Sequence, residues 1–235
     1  MHKVQTKVRY SECGEDGNVT LASIINLFQD TSSVHSESLG VGVDYLKKHK
    51  RAWFINSWQI VIERYPKVYE DIEVSTWSTG VRGVFGPREF CMKTQDGEML
   101  VYAHTLWVYM DLEKGIPTKP SEEERDVYGE EPPLEMEYAS RKIKLPKEAE
   151  EADTFFVRKY HIDTNSHMNN CHYVQLAAEV LPDTFAVKQV RVEYKKAAVC
   201  GDKIVMKKAA EEKRIVVELC DEAEAPYAVV EFIGA

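Results

Sequence analysis

No apolar run in this sequence approaches the ~18 residues that a membrane-spanning helix needs. The opening Met1-His2-Lys3-Val4-Gln5 lacks the apolar core of a signal peptide, and the composition of a transit peptide is absent too. Cysteines are few and odd in number: five, at 13, 91, 171, 200 and 220, and never spaced C-x-x-C. That argues against a disulfide scaffold and a structural zinc site, and makes a reducing cytoplasm the expected location. Positive charge is short as well. Thirty Lys and Arg against 39 Asp and Glu leave a net −9, which argues against a nucleic-acid face. The 235 residues are 44% hydrophobic, enough to bury a sizeable core and to argue against intrinsic disorder. These bounds leave a soluble α+β protein.

The pattern of apolar residues repeats. Residues 3–10 alternate as a half-buried strand does, and residues 20–36 read as a helix with Leu21, Ile24, Ile25, Leu27 and Phe28 on its apolar face. Strand-like segments follow near 53–64, 71–78, 88–95 and 98–110, the last two joined at Asp96-Gly97, a hairpin signal. The second half repeats the order: strand 153–161, helix 170–181 stopped by Pro182, then strands near 186–195, 202–209, 213–220 and 226–233. Arg9-Tyr10 is echoed by Lys159-Tyr160, and Glu70-Asp71-Ile72 by Gly201-Asp202-Lys203-Ile204. A period of roughly 150 residues fits duplication of a domain, not a solenoid.

Two βαββββ units, each with an antiparallel sheet wrapped around a long helix, make a tandem (double) hotdog. An enclosed helix should be apolar over most of its circumference. The division is 1–112 for the N-terminal unit, 113–152 for a linker rich in proline and charge, and 153–235 for the C-terminal unit. The linker is expected to lie over the surface. A single mixed α+β domain with coincidental echoes is the competing reading.

The densest polar constellation is residues 160–170, between a strand and a helix. Asp163, Asn165 and His167 fall at i, i+2 and i+4, so an extended segment would point all three to one side. Asn169 or Asn170 suits the N-cap of the following helix, whose N-terminus favours an oxyanion. A carboxylate, an amide, an imidazole and a helix N-terminus are the set that attack on a carbonyl requires. An ordinary polar loop with a capping residue would look similar. Two other chemistries compete. His161, His167, Cys171 and His172 cluster as metal ligands do, though without zinc-site spacing. Cys171 or Cys200 could serve as a nucleophile with His167 as base, although a buried, inert cysteine is the commoner fate.

The run Asp163-Thr-Asn165-Ser-His167-Met-Asn169-Asn170-Cys-His-Tyr173 resembles the D-x-N-x-H-x-N-N-x-x-Y signature of the acyl-ACP thioesterase family, of the plant FatA/FatB-like and bacterial type. Trp77, Gly86-Pro-Arg88-Glu89-Phe90, Gly97-Glu98 and Trp107-Val108-Tyr-Met110 resemble that family's first-half motifs in order. With no transit sequence before Met1, the chain is similar to a bacterial member. The resemblance implies hydrolysis of a fatty acyl thioester from acyl carrier protein (ACP), a step that ends or diverts fatty acid synthesis, with no cofactor and no metal. By carry-over the catalytic positions are Asp163, Asn165 and His167. Asp163 would activate water or attack the thioester directly, Asn165 would position it or bind the oxyanion, and His167 would orient or shuttle a proton.

The sequence departs from the family in one place. Plant members carry an acidic residue and often a cysteine after a Tyr-Arg-Arg motif, whereas Tyr194-Lys195-Lys196 is followed here by Ala197-Ala198. Glu179 and Cys200 are the available substitutes. The first half lacks the constellation, with Glu12, Asp16 and Asn18 in its place. One site in the second half is therefore expected, with Ile24, Ile25, Leu27, Phe28, Trp53 and Trp58 shaping an acyl pocket or serving as plain core. Arg141–Lys144 or Lys195-Lys196 would dock the acidic carrier. An acyl-CoA thioesterase of the same fold and a non-catalytic acyl-binding module are the alternatives. Neither nucleic acid nor membrane is an expected partner, and a homodimer is left open.

Overall fold

The computed structural model describes residues 1–146 and 148–235. It contains two compact units. The first comprises residues 1–56 and 62–138, and the second residues 57–61 and 139–235.

In the first unit, β1 (His2–Lys7) leads through a 3-10 turn to the helix α1 (Leu21–Ser38), then α2 (Val43–Lys48) and the strands β2 (Arg51–Ile62), β3 (Asp71–Ser78), β4 (Phe85–Thr94) and β5 (Met99–Asp111). The strand order is β1-β3-β4-β5-β2, with antiparallel registers such as Val4↔Val74, Thr76↔Phe90 and Phe90↔Ala103. β1 alternates between half-buried and exposed residues, as an edge strand with one wet face should. The hairpin forms at Asp96-Gly97 as a three-residue loop in which Gly97 alone takes positive φ, +95°, with Gly97 N bonding Thr94 O and Thr94 N bonding Glu98 O.

Thr20 caps α1, its hydroxyl accepting from Ser23 N. The helix lies against β3 and β1. It buries one stripe, Ile24, Ile25, Phe28, Thr31, Ser32 and His35, while Val34 is exposed. The expectation of a helix apolar around most of its circumference is thus corrected: one stripe suffices, and beyond Phe28 that stripe is polar. Phe28 packs on Phe90 of β4 with ring centres 5.0 Å apart, a contact worth about 1 kcal/mol beyond simple burial.

Residues 113–138 belong to this unit and pack into it. A short strand β6 (Ile116–Pro117) pairs with β5, and α3 (Glu122–Asp126) starts with a Ser121/Glu124 capping box. The Trp77 indole N–H donates to the Pro132 carbonyl at 2.8 Å, and the Tyr109 hydroxyl donates to Glu124 Oε1 at 2.5 Å. A stretch that reads as a surface linker is held by indoles and phenols that need acceptors, and carboxylates and proline carbonyls supply them.

The second unit repeats the topology. β7 (Glu150–Phe156) is followed by α4 (Asn170–Glu179), β8 (Val187–Tyr194), β9 (Lys203–Glu211), β10 (Arg214–Cys220) and β11 (Pro226–Gly234). The order is β7-β9-β10-β11-β8, the same permutation as before, and residues 57–61 of β2 pair with β8 through Trp58↔Val192 and Ile60↔Val190. α4 rests on β10 and β11 through Cys171, Tyr173, Val174 and Ala177. It ends at Glu179, two residues short of the expected stop, because Leu181 N turns back to Ala178 O before Pro182.

The duplication extends to individual main-chain hydrogen bonds. Gly14 N donates to Asn18 O at 2.9 Å and Asp163 N to His167 O at 2.8 Å, while Gly17 and Ser166 both take positive φ, +74° and +64°. Val19 N bonds Pro66 O at 2.9 Å as Met168 N bonds Ala198 O at 2.8 Å. This register matches Arg9 to Arg158, one residue away from the match of Arg9-Tyr10 to Lys159-Tyr160 suggested by side-chain likeness.

Candidate active site

Residues 163–167 do not run extended. Ile162 and Met168 form a β-bridge, Asp163 N donates to His167 O, and Ser166 N donates to Asp163 O at 3.1 Å. This closed turn needs a left-handed residue, and Ser166 supplies it. The i, i+2, i+4 argument for a shared side is therefore replaced by a loop that brings Asp163 and His167 opposite each other.

Asp163 is half-buried and anchors that loop. Its Oδ1 accepts the backbone N–H of Asn165 at 2.8 Å and of His167 at 3.4 Å. Oδ2 accepts no hydrogen bond among the described residues. Asn165 is exposed at the turn and His167 is half-buried. Asn169, not Asn170, is the N-cap of α4: its side chain accepts Cys171 N at 3.1 Å, and its carbonyl accepts His172 N at 3.0 Å. Two N–H groups at the helix start are thus already engaged, so the helix end contributes chiefly its dipole.

Behind the loop stand two tyrosines. The Tyr173 hydroxyl accepts Ala198 N at 2.9 Å, and Tyr194 donates to Asn170 O at 2.9 Å. Burial pushes Tyr173 up to about 12 and raises Tyr194 well above the usual phenol range, so both remain protonated. Ala198 is fully buried, and its carbonyl takes Met168 N. The position where plant relatives of the motif place an acidic residue or cysteine therefore acts here as a main-chain brace. In the sequence Tyr173 and Tyr194 stand only as letters of a motif, and the separation of 25 residues between Tyr173 and Ala198 leaves no local signal of this bond.

His161 is buried among aromatic rings, with Tyr160 at 3.9 Å and His172 at 4.9 Å between centres, and its Nδ1 accepts Arg158 N at 2.8 Å. Burial, then the neighbouring His172 and Arg158, hold its pKa below the usual histidine range. Among the described residues no group of three or more His, Cys, Asp or Glu side chains is placed to hold a metal ion. Cys171 is buried at the start of α4, and Cys200 is exposed in a turn. Glu179 is exposed at the far end of α4, about 14 Å along the axis from Asn170, which removes it as a second carboxylate. In the first unit Ile24, Ile25 and Phe28 are fully buried and serve as core.

Of the two expected docking segments, Arg141, Lys142 and Lys144 are exposed, whereas the lysines of the second are ion-paired. Lys195 pairs with Glu193, and Lys196 with Asp221 at 3.1 Å. Arg158 and Lys159, immediately before the loop, are exposed and make no ion pair among the described residues.

Comparison with known proteins yields two family models. The acyl-ACP thioesterase N-terminal domain matches residues 1–128 and the C-terminal domain matches residues 144–229. A chloroplastic oleoyl-acyl carrier protein thioesterase from Arabidopsis thaliana is 26% identical over 83% of this chain and 60% of its own length. A dodecanoyl-[acyl-carrier-protein] hydrolase from Cinnamomum camphora is 25% identical over 80% of this chain and 54% of its own. The chain thus spans between half and two thirds of these curated relatives. Among solved structures, an acyl-ACP thioesterase from Bacteroides thetaiotaomicron superposes with TM-score 0.90 at 20% identity, covering 99% of this chain and 97% of that one. The 12:0-ACP thioesterase of Umbellularia californica gives 0.87 at 19% identity, covering 99% and 96%. At those identities the likeness establishes the fold, an α+β arrangement of antiparallel sheet with few helices. No helix is long and apolar enough to cross a membrane.

Proposed function

Since the chain belongs to the acyl-ACP thioesterase family, we propose that it hydrolyses fatty acyl-ACP to free fatty acid and ACP in the cytoplasm, ending or diverting fatty acid synthesis. Each unit is then a hotdog. The N-terminal unit shapes the acyl pocket, and residues 153–235 carry the reacting groups.

The observation that supports a carboxylate mechanism is the asymmetry of Asp163. Oδ1 is tied to two backbone N–H groups, which fixes the carboxylate, while Oδ2 accepts no hydrogen bond among the described residues. In this reading Oδ2 takes a proton from water as the water oxygen adds to the thioester carbonyl. The Asn165 amide donates to the oxyanion, aided by the α4 dipole. The tetrahedral intermediate collapses by breaking the C–S bond, and the proton held by Asp163 passes through His167 to the departing thiolate. No metal or cofactor takes part. A papain-like scheme is disfavoured, since Cys171 is buried and Cys200 lies three residues beyond Ala197. The carrier protein is the partner, and the oligomeric state is open to a homodimer.

The test is hydrolysis of an acyl-ACP panel from C8 to C18, and of the matching acyl-CoAs, by the wild type and Asp163→Asn. Preferential cleavage of acyl-ACP, reduced roughly 10²–10⁴-fold in the variant, supports the reading. Equal or better cleavage of acyl-CoA favours the acyl-CoA thioesterase, and binding without turnover favours an acyl-binding module.

A further inference from the structure

The polar half of the α1 stripe faces a buried cation that has no counter-ion among the described residues. Arg88 on β4 is 7% exposed and lies on the same side of its strand as Phe90, which packs on α1. Its Nη1 donates to His35 Nδ1 at 3.0 Å and to Thr76 Oγ1 at 3.2 Å, and the guanidinium stands 5.3 Å from the centre of the Tyr128 ring. All of these partners are uncharged. Arginine only donates, so His35 accepts at Nδ1 as neutral imidazole. Burial first, then Arg88, His2 and the amino terminus, hold its pKa down to about 4.

Nearby carboxylates do not reach it. Glu89, the next residue, points to the opposite face of β4, where its Oε1 bonds His104 at 2.9 Å and Tyr138 while its buried Oε2 has no hydrogen-bond partner among the described residues, and Glu124 takes Tyr109 and Ser121. The closing carbonyls of α1 are used by its own C-cap: Leu39 N bonds His35 O and Ser36 O, Gly40 N bonds Glu37 O, and Val41 N bonds Ser36 O. Arg88 Nε and Nη2 therefore make no hydrogen bond among the described residues. His2 stacks on His35, the partner of Arg88, at 5.1 Å, and its buried Nε2 has no hydrogen-bond partner among the described residues. A buried, unpaired charge is strongly unfavourable unless something neutralises it.

We propose that Arg88 anchors a carboxylate-binding site in the first unit, its Nε/Nη2 edge receiving both oxygens of the ligand with His2 alongside. That edge is the planar two-donor fork that matches a carboxylate. The amino terminus, the other cation near His35, is paired with Glu131, so one unpaired cation remains, which suits a monoanion; a dianionic phosphate would leave a negative charge uncompensated. The site lies in the first unit, apart from the Asp163 loop, and does not depend on the thioesterase reading. A small organic acid and a free fatty acid offer the same group.

The test is isothermal titration of the purified full chain with acetate, octanoate, octanamide and phosphate, for the wild type, Arg88→Lys, Arg88→Gln and His2→Ala. Saturable binding of a carboxylate by the wild type, weakened tenfold or more in both Arg88 variants, supports the site. His2→Ala should weaken it less. Binding of acetate and octanoate alike points to a small acid, and octanoate alone to a fatty acid. Crystals of the wild type soaked in 4-bromobenzoate, whose aryl bromide does not alkylate histidine or cysteine, give a readout independent of variant folding, with bromine expected beside Arg88. Absence of saturable binding, equal binding by folded Arg88→Gln, binding of octanamide or phosphate as tight as octanoate, or bromine found only elsewhere would each overturn the proposal.

Discussion

The backbone N–H of Ala198 donates to the hydroxyl of Tyr173 at 2.9 Å, tying the segment after β8 to the first turn of α4. Ala198 is fully buried, so no water can replace the phenol. Tyr173→Phe should therefore cost about 1–3 kcal/mol, the range for leaving a buried donor unsatisfied. Tyr194→Phe removes a donor from the Asn170 carbonyl and should cost less. Urea unfolding of both variants measures this, and a Tyr173→Phe midpoint equal to wild type would show that the brace is unimportant.

Asp163 carries a structural duty in addition to its proposed chemistry, and two substitutions separate them. Asn at 163 keeps an oxygen for the N–H groups of Asn165 and His167, so the fold should change by less than about 1 kcal/mol while turnover falls. Ala at 163 strips both acceptors and should lose stability by roughly 1–2 kcal/mol as well. If the two variants unfold at the same urea concentration, Oδ1 does not hold the loop.

His35 gives a pH dependence of known sign. Its folded pKa of about 4 lies below the unfolded value near 6.5, so the unfolded chain binds the proton first as pH falls. The native state accordingly loses stability between pH 6.5 and 4, by up to about 3 kcal/mol. His35→Gln retains an acceptor for Arg88 but cannot titrate. The difference in unfolding free energy between wild type and variant should shift steadily against the wild type on acidification. Parallel pH curves would contradict this.

If the carrier docks beside the loop, Arg158 and Lys159, which make no ion pair among the described residues, are the cations it would meet. Reversing Arg158 and Lys159 to Glu should raise KM for acyl-ACP several-fold, more so at low salt, and spare a short acyl-CoA. Reversing Lys195 and Lys196 breaks pairs with Glu193 and Asp221, so its effect should include lost stability. An equal rise in KM for both substrates would remove docking as the explanation.

Much of the fold is legible in the sequence because it rests on local patterns. Alternation, a capped apolar run and an Asp-Gly turn specify each βαββββ unit through interactions within a few residues, and β3 spans Asp71–Ser78 as the pattern predicts. The polar run 163–170 is likewise visible, because a loop that must satisfy its own backbone concentrates Asp, Asn and Ser. The repeat register was misread by one residue for a physical reason. Tyr10 and Tyr160 are 78% and 75% exposed, so their likeness carries no structural constraint, whereas the conserved geometry lies in main-chain hydrogen bonds.

By itself, then, the sequence determined the duplicated order of elements, the family motif and the chemical character of the 163–167 loop. Tertiary structure alone decided that Asp163 binds its own loop, that Ala198 is held by Tyr173, that residues 113–138 pack into the first unit, and that Arg88 is buried beside His35 and Tyr128 with no carboxylate partner among the described residues. Each of these joins groups that only folding brings together. Which acceptor a buried donor finds depends on what else competes for it in three dimensions, and no local periodicity records that competition.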